Sequence, residues 1–131
     1  MGHLLRDEGI VPDLIISSTA KRARNTAKEA AQASGYEGSL SLDPDFYEGG
    51  SSDFVRALQE VPDDRDSVMV VAHNPGLEEF IEILTGEYVR MPTAALARVS
   101  LPLENWNDLR VGTNGTLQNV WLPKELPEEG E

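Results

Sequence analysis

Lys21, Arg22 and Arg24 lie within four positions, directly after Ser17-Ser18-Thr19-Ala20. Grouped cations of this kind can hold a phosphate: a guanidinium donates to phosphoryl oxygens, and a helix opening at the same point adds its own N–H donors. Stability opposes the grouping, because the first turns of a helix already carry about half a positive charge and favour Asp or Glu. Three of the chain's eleven basic residues nevertheless stand there, in a protein of formal net charge −12. A second candidate is His73, which ends the apolar run Val68-Met-Val-Val-Ala72 and precedes Asn74-Pro75-Gly76. Taken singly, each group has a plainer use. The cations could form a solvated helix face partnered by carboxylates, and a lone histidine is more often bonded to backbone than to a ligand. Their occurrence at two equivalent strand-to-helix junctions gives the anion reading its weight.

The elements that must position these groups follow from periodicity. Leu14-Ile15-Ile16 reads as a buried strand. Ser17, Ser18 and Thr19 offer capping hydroxyls to a helix whose Ala20, Ala23, Ala27, Ala30 and Ala31 keep helical spacing up to Gly35. A weaker strand is expected around Leu40-Ser41-Leu42. A loop over 43–50, rich in Gly and acid, leads to a helix opened by Ser51, Ser52 and Asp53. Residues 67–72 are apolar on both faces, as befits a central strand of a parallel sheet. Asn74 is a suitable N-cap and Pro75 a suitable first helical residue, with Leu77, Phe80, Ile81 and Leu84 at i, i+3, i+4, i+7 before Gly86. Residues 95–101 and 117–122 read as further strands, with turn signals at Gly112 and Asn114-Gly115 between them. Residues 1–8 have helical spacing without an N-cap. Strands alternating with helices predict an α/β sandwich whose site lies beyond the carboxyl ends of the strands.

Composition narrows the possible functions. A length of 131 residues suits one domain, expected over residues 1–122, with the Pro- and Glu-rich residues 123–131 as an acidic flexible tail. With no cysteine and only His3 and His73, thiolate chemistry and a structural zinc site are not expected. The negative charge argues against nucleic acid and anionic membrane as partners. No secretory signal or membrane span is evident, so a cytoplasmic location is expected. Ser17 and Ser18 lack a G-x-S-x-G elbow, which disfavours a serine hydrolase. The oligomeric state is not legible.

Ser18-Thr-Ala-Lys-Arg22-Ala-Arg-Asn-Thr26-Ala27 resembles the S-x-x-x-R-A-x-x-T-A segment of the histidine phosphatase superfamily, and Val70-Val-Ala-His73-Asn-Pro-Gly76 resembles its second-histidine segment. In this order, with Pro12-Asp13-Leu14-Ile15-Ile16 before them and Met91-Pro-Thr-Ala-Ala-Leu-Ala97 after, they are similar to the small bacterial phosphohistidine phosphatases of the SixA type. The resemblance implies a three-layer α/β/α sandwich with a mostly parallel, phosphoglycerate mutase-like sheet. It implies hydrolysis of phosphohistidine on protein substrates through a covalent phosphohistidine intermediate, without metal or cofactor. Arg22 and His73 match the residues that hold the phosphoryl oxygens, Asn74 stands beside them as a substrate-binding residue, and Glu48 falls where relatives place the acid that protonates the leaving group. Glu48 read without the resemblance is one more surface carboxylate. The family's nucleophile stands in an Arg-His-Gly or Arg-His-Ala motif, and this sequence contains neither. That motif ends a first strand in the middle of the sheet, so the resemblance implies a phosphatase whose first strand and nucleophile are missing from this chain. A non-catalytic phosphoryl-binding or interaction domain is the alternative. A phosphatase or mutase acting on a small phosphate ester would use the same site.

Overall fold

The structure, a computed structural model, describes residues 9–47, 50–91, 95–110 and 113–121. Strand β1 spans Leu14–Ser18, helix α1 Lys21–Ser34, β2 Leu40–Asp43, α2 Ser51–Gln59, β3 Val68–Val71, α3 Gly76–Thr85, β4 Leu96–Ser100 and β5 Thr116–Trp121. Short 3-10 turns cover Pro44–Phe46 and Trp106–Asp108. The expected helix over residues 1–8, the carboxylate of Glu48, the turn at Gly112 and the acidic tail lie outside the described residues.

Alternation along the strands makes the layers. Ile16, Leu14, Val68 and Val70 face one way, against Phe54, Leu58, Phe80 and Leu84 of α2 and α3. Ile15, Met69 and Val71 face the other way, against Ala23 and Ala27 of α1. This is the α/β/α arrangement: a strand places successive side chains on opposite faces, and both faces of β1 are covered. Small residues on the inner stripe of α1 let it lie close to the sheet, with Ala27 and Ala30 fully buried. On the opposite side Phe46 and Phe80 flank Phe54, with ring centroids 4.8 Å and 5.2 Å away and the first pair edge-to-face. Phe46 is only 1% exposed, so part of the loop expected over 43–50 belongs to the core.

The β1, β2 and β3 strands form a parallel sheet in the order β2-β1-β3, while β4 and β5 form a separate antiparallel pair. Ile16 of β1 lies opposite Ser41 and Val70, and Ser17 opposite Leu42 and Val71. The lower end of this register is pinned by Asp13, whose Oδ2 accepts from the N–H groups of Asp66 and Ser67 at 2.8 Å and 3.1 Å. The central strand among those described is β1, and β3, expected to be central, is an edge of the parallel sheet. Its residues Val68 to Val70 are accordingly half-buried. Neither the outer edge of β3 nor that of β4 is paired by a described strand.

Both long helices stop where the glycines predict. Gly35 ends α1 with φ 84° and Gly86 ends α3 with φ 77°, each in the left-handed conformation and each returning its N–H to the last turn. Gly115 has a different purpose: its N–H donates to the Leu84 carbonyl at 2.6 Å, and a Cβ there would lie 2.9 Å from that oxygen. This contact ties the β4–β5 pair to the end of α3. No helix among the described residues is long and apolar enough to cross a membrane.

Candidate active site

The first junction, between β1 and α1, is built differently from a capped helix. The N-cap position is Ala20, in an extended conformation with no side-chain cap, and the first turn contains no acid. Of the three hydroxyls expected to cap the helix, those of Ser17 and Ser18 are used inside the strand, and Thr19 supplies no cap. Ser17 is fully buried and its Oγ donates to the Ser18 carbonyl at 2.9 Å. The Ser18 Oγ, equally buried, accepts the Ala20 N–H at 3.2 Å, two residues too early to serve as an N-cap. The opening N–H groups of α1 are thus left to solvent or ligand, next to the exposed side chains of Lys21 and Arg22. Arg24 is half-buried and its Nε has no hydrogen-bond partner among the described residues.

The second junction, between β3 and α3, likewise has no side-chain cap but places acids where the first places cations. The His73 carbonyl accepts the Leu77 N–H at 3.2 Å. Glu78 and Glu79 fill the first turn of α3, where the helix dipole favours acids. Glu78 accepts the Met91 N–H at 2.8 Å, and Glu79 accepts the Ser51 hydroxyl at 2.9 Å. Asn74, expected to cap this helix, does not: the N-cap position is Pro75, and the Asn74 amide donates to the Met91 carbonyl. The helix therefore begins one residue later than expected, and Asn74 anchors the segment that follows α3.

Parallel register joins the two junctions. With Ser17 opposite Val71, the residues one and two steps further along β1 and β3 meet above the sheet, and the Ser18 Oγ lies 3.0 Å from His73 Nε2. Tyr47 covers the imidazole, with ring centroids 5.8 Å apart and a tilt of 57°. His73, Asn74 and Arg22 all line one cleft of about 1140 Å³, which runs between the edges of β3 and β4 that no described strand pairs. Leu77, Phe80 and Leu84 wall it on one side and Ala23 and Thr26 on the other. Its volume exceeds that of ordinary small-molecule sites. The Ser18 and Tyr47 contacts to His73 were not legible in the sequence, since they depend on a register between segments 55 and 26 positions apart in the chain. No group of three or more His, Asp or Glu side chains able to hold a metal ion occurs among the described residues.

No family model matches the sequence. It is 30% identical over 117 residues to an uncharacterized chloroplastic protein of Arabidopsis thaliana, covering 82% of this chain but 54% of that protein. The chain thus spans about half the length of the curated relative it matches. Among solved structures it is similar to a protein histidine phosphatase SixA complexed with tungstate, at 23% identity and a TM-score of 0.79, over 96% of this chain and 78% of that one. It is also similar to proteins designated phosphohistidine phosphatase SixA from Nakamurella multipartitia and Agrobacterium tumefaciens. Their identities are 23% and 25% and their TM-scores 0.76 and 0.69, each over 93% of this chain and 77% of the other. The chain accordingly has the fold of the SixA-type histidine phosphatases.

Proposed function

We propose that this chain is the larger part of a phosphohistidine phosphatase, hydrolysing phosphohistidine on protein substrates, whose nucleophilic histidine is supplied by a strand upstream of Met1. The observation that carries the reading is that Arg22 and His73 line one cleft beside the open carboxyl ends of β1 and β3. Two features support the missing strand. The cleft is bounded by edges of β3 and β4 that no described strand pairs, whose backbone donors and acceptors call for an extended partner. More than a fifth of the tungstate-bound SixA structure has no counterpart in this chain, although nearly all of this chain has a counterpart there.

In the completed site the nucleophilic imidazole forms a nitrogen–phosphorus bond as the substrate's own histidine leaves, taking up a proton. Water then attacks the phosphorylated imidazole and releases phosphate. Arg22 donates to the phosphoryl oxygens, and the opening N–H groups of α1 add to that field. His73 donates from the facing wall as charge develops on those oxygens. Glu48 is proposed as the acid that protonates the leaving group, a role that a departing imidazole needs little. Asn74 holds the segment around Met91 at the rim, and we place it in substrate binding through that support. A cytoplasmic location belongs to the same proposal.

One observation favours a second reading. His73 is the single histidine among the described residues, and no Arg-His-Gly or Arg-His-Ala occurs in the sequence, which suits a phosphoryl-binding domain without turnover. The coding DNA upstream of Met1 separates the two. It is expected to continue in frame for roughly 30 to 45 codons, enough for a strand, a phosphate loop and the first turns of a helix, and to encode a strand ending in Arg-His-Gly or Arg-His-Ala. The extended protein should release phosphate from a phosphohistidine protein in the presence of a chelator, and the 131-residue chain should not. Turnover by the short chain, or none by the extended one, overturns the proposal.

A further inference from the structure

We infer that Ser18 is a positioning residue that fixes which nitrogen of His73 carries the proton. The Ser18 side chain is fully buried, and its Oγ already accepts the Ala20 N–H. Its hydroxyl proton needs an acceptor, since burying an unpaired donor is costly. Among the described residues the group in reach is His73 Nε2, at 3.0 Å. The neighbouring Ser17 hydroxyl is spent on the Ser18 carbonyl and does not compete.

The consequence is chemical. A neutral imidazole has one N–H and one bare nitrogen. With Nε2 accepting from Ser18, the proton must reside on Nδ1, the ring nitrogen left for the cleft that His73 lines. When the ring is protonated, Nε2–H donates to Ser18 Oγ instead, at the cost of the acceptor for the Ser18 hydroxyl proton, and Nδ1 still bears its proton. In both states the cleft therefore meets a donor at Nδ1. Without Ser18 a neutral imidazole prefers the Nε2–H form, and Nδ1 would present a lone pair to any phosphoryl oxygen. Tyr47 packs against the ring at 5.8 Å between centroids and a tilt of 57°. The value of this to phosphoryl binding rests on the function proposed above, whereas the tautomer itself does not.

The chain has only two histidines, so the experiment is direct. Long-range proton–nitrogen NMR correlations of the imidazoles, recorded at alkaline pH where the rings are neutral and assigned with a His3→Gln variant, report the tautomer of His73. The Nδ1–H form should predominate in the wild-type chain. Ser18→Ala should shift the balance toward Nε2–H by about tenfold, the size that one hydrogen bond sustains, while Ser18→Thr, which keeps the hydroxyl, should leave it unchanged. If Ser18→Ala does not fold, the wild-type and threonine spectra still decide. A wild-type His73 in the Nε2–H form, or an alanine variant that folds and keeps Nδ1–H, overturns the inference. Loss of the phosphatase reading with an intact Nδ1–H signature would sink the function and leave the positioning role standing.

Discussion

The two strand-to-helix junctions share a topology and differ in how they treat a helix N-terminus. At β3–α3 the opening turn contains two glutamates, and both accept hydrogen bonds from other parts of the chain, Met91 and Ser51. At β1–α1 the cap is an alanine, no acid is present, and Lys21, Arg22 and Arg24 add positive charge to a positive pole. One junction spends its polar groups on holding the fold together. The other sets cations at the same positive pole, a conflict with the dipole that a bound anion would relieve. The difference teaches where to look for function in this sheet: at the junction whose local chemistry works against folding.

Substitutions can break this contrast. The largest expected effect is at the β3–α3 junction, where Glu78→Ala leaves the N–H of buried Met91 without its acceptor and should cost about 2 kcal/mol. Denaturant unfolding of Glu78→Ala beside Lys21→Ala checks it. Lys21→Ala should cost nothing measurable, because it removes a charge from the wrong end of a helix, and equal losses in the two variants would erase the distinction. A smaller effect of opposite sign is expected at the β1–α1 junction. Ala20→Asp and Ala20→Asn should each stabilise the chain by about 1 kcal/mol by supplying the absent cap. The aspartate should also weaken anion binding, and the neutral asparagine should weaken it less. A destabilised Ala20→Asn variant would mean that the alanine is there for packing against α1's neighbours and not because a ligand takes the place of the cap.

The sequence made the order of strands and helices readable wherever an apolar run met a glycine, as at Gly35 and Gly86. Arg22 and His73 could be proposed because residue type and junction coincided. Capping was misread at Ser17, Ser18, Thr19 and Asn74. These residues have the chemistry of caps, but the strand continues through Ser18, which turns its hydroxyl toward the neighbouring strand, and Asn74 reaches Met91 across the fold. The Asp13 clamp on Ser67 and the Ser18–His73 contact were likewise invisible, because both are consequences of parallel register and not of local spacing. The edge position of β3 is set by which described strands stand beside it, and an apolar run looks the same with one partner strand or two.

Tungstate titration of the 131-residue chain, followed calorimetrically with a chelator present, tests the central claim most directly. If Arg22 and His73 face one phosphoryl site, binding should be weak but saturable, and either Arg22→Ala or His73→Ala should reduce the affinity by about tenfold, the worth of a charge-assisted hydrogen bond. Affinity unchanged by both substitutions would contradict the account.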